Sequence, residues 1–166
     1  DVVSDGAVTI TSGSGSTTSG DITTTADTIQ FASATTLGGA VALASANGAV
    51  TFASTLNGAQ NLTITAGIGN VTFTGAVGGT TRLELLNIVS AGNVGAAALT
   101  LSLIHLCRCP GTTTFGCAVT TNPSAGVSVV NTNLAVNAAV TTTSSGVVTF
   151  TQSGTTTHGA AGDVFL

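Results

Sequence analysis

The sequence predicts an all-β fold, a right-handed parallel β-solenoid with coils of about 21 residues. Three observations carry this reading. Apolar residues recur at steps of 21, they alternate within each repeat, and the segments between them are rich in Gly, Asn and Ser. Alternation means strands with one face inward. Gly, Asn and Ser supply the turns that join them. A repeat of this size cannot bury an apolar face alone, so neighbouring coils must stack to make a core.

The period is visible in short strings: "GAVTF" at 48–52 is followed by "GNVTF" at 69–73. Stepping by 21 from Ile10 gives Phe31, Phe52, Phe73, Val94, Phe115 and Val136, an unbroken apolar column. A second column runs Ile22, Leu43, Ile64, Leu85, Leu106, Val127 and Val148. Its neighbour runs Val41, Leu62, Leu83 and Ile104 before weakening at Ala125. With 43% hydrophobic residues overall, two such columns are improbable by accident. Each repeat is expected to hold two short strands, and the Phe column to form an internal aromatic ladder. At a spacing of about 4.8 Å, roughly seven to eight coils would make a rod on the order of 35 Å long. The right-handed path is the usual sense for parallel crossovers.

The chain reads as one module over 1–166, with regular coils over about 6–150 and 151–166 as a partial coil or a connection to the next module. One step past Val136 falls on Thr157, while "GVVTF" at 146–150 recurs out of phase. Either a coil is short there, or Phe150 enters the interior from another strand, the account favoured by Val129 in the column of Phe150. The chain opens on Asp1 without a basic segment leading into an apolar one, and reads as a mature or excised part of something longer.

Composition excludes several functions. Lys and Arg total 2 against 6 Asp and Glu, too few cations to neutralise a phosphate backbone, so nucleic acid is not an expected partner. Both cations are Arg, which removes Schiff-base chemistry and the P-loop motif. Low charge with low hydrophobicity would suggest disorder, but mean hydropathy is +0.57. The longest mostly apolar run, 94–107, is too short for a membrane-spanning helix and holds Thr, Ser and His, so no membrane insertion is expected. A surface of hydroxyls and amides has little repulsion to keep copies apart, which suits assembly.

Strings such as "LTITAGIGNVTFTGAVGG" at 62–79 resemble the degenerate repeats of filamentous-haemagglutinin-like and autotransporter-like bacterial surface adhesins. The resemblance is one of repeat style and covers about 6–150. It implies a right-handed β-helix, an extracellular or cell-surface location, and a role as stalk, adhesin or filament. It carries no catalytic residue across. The stretch "LIHLCRCPGTTTFGCAV" at 103–119 departs from it, because such repeats seldom carry cysteine.

That stretch is the first candidate for chemistry. His105, Cys107 and Cys109 alternate along one strand and should face outward. A His with two or three thiolates suits zinc, but this spacing matches no familiar zinc motif. Alternate residues on a strand are about 7 Å apart, too far for two bonds to one ion. No metal is therefore assigned. A disulfide between Cys109 and Cys117 is a possible pairing. Cys117 also falls in a column of small residues (Ser12, Ser33, Ser54, Gly75, Ala96, Ala138) and suits a buried space-filler.

Glu84 and His105 stand one period apart and should stack on adjacent coils, with Arg82 on the same face. Acid–base catalysis is one use of such a pair; a surface polar contact is the simpler one. Sugar-cleaving enzymes need several carboxyl groups in one cleft, and the remaining acids scatter. An outward column, Thr9, Gln30, Thr51, Thr72, Asn93 and Thr114, is mostly threonine, but its partner, Thr11, Ala32, Ala53, Thr74, Gly95 and Gly116, breaks the regularity an ice-binding array needs. Asn61 and Asn70 stand in N-x-T sequons.

The expected function is that of a non-enzymatic structural module of an extracellular filament or surface adhesin, with no catalytic residue and no cofactor. It would be a stiff rod that associates head-to-tail with copies of itself or adjacent solenoid modules. The alternative is a carbohydrate- or ice-binding solenoid module.

Overall fold

The computed structural model describes residues 1–116, 118–121, 126–142, 146–160 and 164–165; for strand residues 103, 105–110, 164 and 165 it describes the backbone alone. The first coil holds β1 (Val2–Ser4), β2 (Val8–Ile10) and β3 (Ser16–Thr18). The second holds β4 (Ile22–Thr24), β5 (Ile29–Phe31) and β6 (Thr35–Leu37). The third holds β7 (Val41–Ala44), β8 (Val50–Phe52) and β9 (Leu56–Asn57). Strands then begin to run through corners: β10 (Asn61–Thr65), β11 (Val71–Val77), β12 (Leu83–Ser90) and β13 (Val94–Phe115). The later coils hold β14 (Val119–Thr121), β15 (Val127–Val136), β16 (Val140–Thr142), β17 (Val148–Gln152), β18 (Thr156–His158) and β19 (Val164–Phe165).

Every pairing is parallel. One face stacks β1, β4, β7, β10 and β12. A second stacks β2, β5, β8 and β11. A third stacks β3, β6 and β9, and continues through Val77 of β11 to Leu99 of β13. The result is a β-solenoid of about seven turns with a mean step near 21 residues.

Each coil therefore has three strands rather than two. The third strand escaped the alternation argument because its inward column starts with hydroxyls, Ser16 and Thr35, before turning apolar at Leu56 and Val77. Those hydroxyls are tied: Thr35 Oγ1 donates to Ser33 O at 3.0 Å and lies 3.2 Å from Ser16 Oγ. A buried polar group with a partner costs little.

Phe31, Phe52 and Phe73 lie directly over one another, each no more than 2% exposed. The first pair of rings stands 4.6 Å apart and 2° from parallel, the second 5.3 Å and 13°. Identical coils place identical side chains in register, and each ring becomes the floor of the next.

The uniform step fails beyond Phe73. Val94 sits on Val71, and Ala96 takes the place beside Phe73. On the first face, Ile64 pairs with Ile88 rather than Leu85, a step of 24, and Ile88 pairs with Leu106, a step of 18. Leu85 instead pairs with Asn61 and Leu103 and is only half-buried. Val127 and Val148 continue the column of Ile104, while Val129 and Phe150 continue the backbone register of Leu106.

The cause is a longer corner at 78–82, where Thr80 N and Thr81 N both donate to Asn57 Oδ1 at 2.9 and 3.2 Å. A short coil follows the long one, so Leu106 and Phe115 return to phase and the stepping arithmetic passes unbroken over the shift. Thr112 N donates to Asn93 Oδ1 at 2.8 Å, as Asn93 N does to Asn70 Oδ1 at 3.0 Å. That register lays Thr113 over Val94 and Phe115 over Ala96. Phe115 then pairs with Val136, and Val136 with His158.

Candidate functional site

Two features of the coil geometry have functional content: the corners and the open edge at the first coil. At a corner the strand ladder lapses, and a backbone N–H needs another acceptor. An Asp or Asn of the preceding coil supplies it. Asp1 Oδ1 accepts from Asp21 N at 2.9 Å, and Asp21 Oδ1 from Ala42 N at 2.8 Å. Asn47 Oδ1 accepts from Ile68 N at 3.1 Å, and Asn133 Oδ1 from Thr155 N at 3.0 Å. With Asn57, Asn70 and Asn93 these make a series in which the acceptor always belongs to the earlier coil. Serine corners run the other way: Ser33 Oγ accepts from Ser12 N and Ser90 Oγ from Gly67 N, both at 2.9 Å. Inside, hydroxyls close turns: Thr24 Oγ1 donates to Asp27 O at 2.7 Å and Ser45 Oγ to Gly48 O at 2.6 Å.

The open edge lies at β1, β2 and β3, each with one strand partner among the described residues. Val8 and Ile10 are only half-buried there, whereas Ile29 and Phe31, one coil on, are 0% and 1% exposed. Val2 is 44% exposed and Val3 82%. A further parallel coil set on these three strands, from preceding chain or from another molecule, would continue their ladders and cover the apolar side chains.

The expected stacking of Glu84 on His105 is not the register of the backbone. His105 lies in register with Asn87, three residues on from Glu84, because the long corner shifts the coil. Glu84 N donates instead to Gln60 O at 3.1 Å, and both Glu84 and Arg82 are exposed. The Cys109–Cys117 pairing falls outside the described residues, as do the side chains of His105 and Cys107. Among the described residues no three His, Cys, Asp or Glu side chains come together as a metal group. No helix of the described residues is long and apolar enough to cross a membrane.

The outward column of the second face reads Thr9, Gln30, Thr51, Thr72 and then Gly95, so its hydroxyls are interrupted. A cleaner threonine stack appears on the third face, where Thr100, Thr120 and Thr141 lie in register outside the buried Leu99, Val119 and Val140. Stepping by 21 finds Thr120 and Thr141 but lands on Leu99 instead of Thr100. Of the two sequons, Asn61 is exposed on β10, while Asn70 accepts from Asn93. The corner acceptors were missed altogether; their trace in the sequence is the recurrence of Asp and Asn about one coil apart, as in Asp1 and Asp21 or Asn70 and Asn93.

No protein-family model matches the chain, and neither a curated protein nor a solved structure matches it. The class that fold and corner chemistry define is that of a parallel β-solenoid repeat protein. The likeness to bacterial surface adhesins rests on repeat style alone.

Proposed function

We propose that the chain is a non-enzymatic structural module of an extracellular filament or surface adhesin, a stiff rod that associates end to end. The observation that carries this reading is the open parallel edge at β1–β3, where the half-buried Val8 and Ile10 continue the fully buried columns of the interior. A coil seated on that edge extends three sheets at once and covers both side chains. Its source is a second copy or an adjacent solenoid module. Because the edge and its complement are different surfaces, the contact is heterologous and propagates into a fibre. The sparse charge, 2 cations and 6 anions in 166 residues, leaves little repulsion against it.

Sedimentation across a wide concentration range, with electron microscopy of the same samples, tests the reading. Concentration-dependent linear particles are expected. Val8→Lys with Ile10→Lys places charge on the edge and should return the rod to monomer with its circular dichroism unchanged. A wild-type protein that stays monomeric at high concentration overturns the proposal.

The stacked Thr100, Thr120 and Thr141 favour a second reading, a carbohydrate- or ice-binding module. Ice-recrystallisation and glycan-array assays of Thr120→Lys against the wild type separate the two readings. Activity lost in the variant supports the second; no wild-type activity in either assay retires it.

A further inference from the structure

Two asparagines sit immediately before glycine, Asn47–Gly48 and Asn57–Gly58, and the fold treats both alike. We propose that they are fold-guarded deamidation sites, chemically silent in the stacked solenoid and reactive in any chain that has come out of it. The reaction needs no enzyme. The glycine amide nitrogen attacks the asparagine Cγ and forms an N–Cγ bond. The Cγ–Nδ2 bond breaks, and Nδ2 leaves as ammonia with the amide proton. Water then opens the cyclic imide to aspartate or isoaspartate. Glycine favours this because it has no side chain to hinder the ring.

Attack requires the glycine nitrogen to be free and the carboxamide to swing toward it. Both conditions are blocked at both sites. Gly48 N donates to Ser45 O at 2.8 Å, closing a turn in which Ala46 and Asn47 have φ of 44° and 91°. The Asn47 carboxamide meanwhile accepts from Ile68 N at 3.1 Å. It is also clamped from above: a Cβ on Gly67 would strike Asn47 Oδ1, so the next coil rests on the carboxamide itself. At the second site, Gly58 N donates to Thr81 O at 3.1 Å, and Asn57 Oδ1 holds Thr80 N and Thr81 N. Gly58 is buried, with the backbone of Leu37 pressed beneath it. Gly48 N is held by its own turn, but both carboxamides and Gly58 N are held by the following coil, so that part of the guard exists only while that coil is stacked.

The products differ in consequence. Aspartate keeps the accepting oxygen, as Asp1 and Asp21 do at their own corners. Isoaspartate adds a methylene to the main chain and displaces the following glycine. Gly48 has no room for that, since Gly69 of the next coil packs against its carbonyl. A chain that has been unfolded for long therefore carries a lasting mark at its third coil and restacks with a defect. This inference is independent of end-to-end association.

The test is to hold the wild-type protein, folded and in guanidinium chloride, at mildly alkaline pH and one temperature. Peptic peptides containing Asn47 and Asn57 are then followed by mass spectrometry with chromatographic separation of the two acids. Deamidation at both sites is expected to be at least about tenfold slower in the folded chain, because it must wait for local opening. Equal rates in the two states overturn the proposal. Gly67→Ala, which drives a Cβ into the Asn47 carboxamide, should raise the rate at Asn47 while leaving Asn57 unchanged. An unchanged rate at Asn47 in that folded variant overturns the clamp, and the wild-type comparison stands whether or not the variant folds.

Discussion

Replacing Phe52 with alanine removes a ring held between two others, and the cost separates stacking from burial. Phe115 provides the reference. It is buried as completely as Phe52, at 1% exposure, and stands in the same inward column. Its neighbours there are Ala96 and Val136, so among the described residues it has no ring partner. A buried Phe→Ala change costs about 3–5 kcal/mol from lost transfer energy and the cavity left behind. Each stacked aromatic pair adds about 0.5–1.5 kcal/mol beyond its buried area. Phe52 has two such contacts, at 4.6 and 5.3 Å. Phe52→Ala should therefore be more costly than Phe115→Ala by about 1–3 kcal/mol.

The chain has no Trp or Tyr, so the assay is urea denaturation followed by far-ultraviolet circular dichroism. With a slope of about 1–3 kcal/mol/M, the two midpoints should differ by roughly 1 M. Stability in a solenoid is a sum of coil terms and nearest-neighbour terms. Removing Phe52 weakens two interfaces and should also broaden the transition, as the halves on either side unfold separately. Equal midpoints for the two variants, or a lower one for Phe115→Ala, would refute the claim that ring-on-ring contact holds the first coils together.

Thr113 is 0% exposed, lies in the inward column between Val94 and Leu134, and its Oγ1 has no hydrogen-bond partner. Thr113→Val removes an unmet polar group and should stabilise the fold by about 1 kcal/mol in the same urea assay. Two residues inserted between Gly79 and Thr80, in the exposed corner, should lower the unfolding free energy by no more than about 0.6 kcal/mol in that assay. A single residue inserted between Leu86 and Asn87 reverses the facing of everything after it on that strand and should abolish the cooperative transition.

The part of the fold legible in the sequence was the part with a constant step. Phe31, Phe52 and Phe73 stand one coil apart, and period-two alternation places them inward without further knowledge. What the arithmetic could not resolve was a pair of compensating errors. Leu85 is apolar and falls on the 21-residue step, yet the inward place belongs to Ile88. Val94 and Val127 are buried in the core as expected but stand in neighbouring columns, over Val71 and Ile104: with Val, Leu and Ala so common, an out-of-phase column still reads as apolar. The Glu84–His105 pairing failed too, since a three-residue shift on a strand moves a side chain to a different neighbour. The corner acceptors were invisible for another reason. Asp and Asn in turns are read as turn formers, and nothing in that reading says that their oxygens reach the next coil.

Those acceptors explain how one solenoid tolerates coils of 18 and 24 residues side by side. A face cannot absorb an extra residue without a bulge, such as the one at Val89 where Ile64 and Thr65 pair with Ile88 and Ser90, because strand register and facing would otherwise change. A corner can, provided the freed N–H groups are met. Asn57 does this twice, holding Thr80 N and Thr81 N where the long coil bulges outward. The carboxamide reaches across the coil spacing of about 4.8 Å and is uncharged, so copies can stack along the rod without accumulating like charges. A chain with few ion pairs available can in this way keep its faces in register while its corners drift. The faces are thus the conserved geometry of each coil and the corners its adjustable part, which is why the buried columns continue past the shift at Leu85 with different residues in the same places.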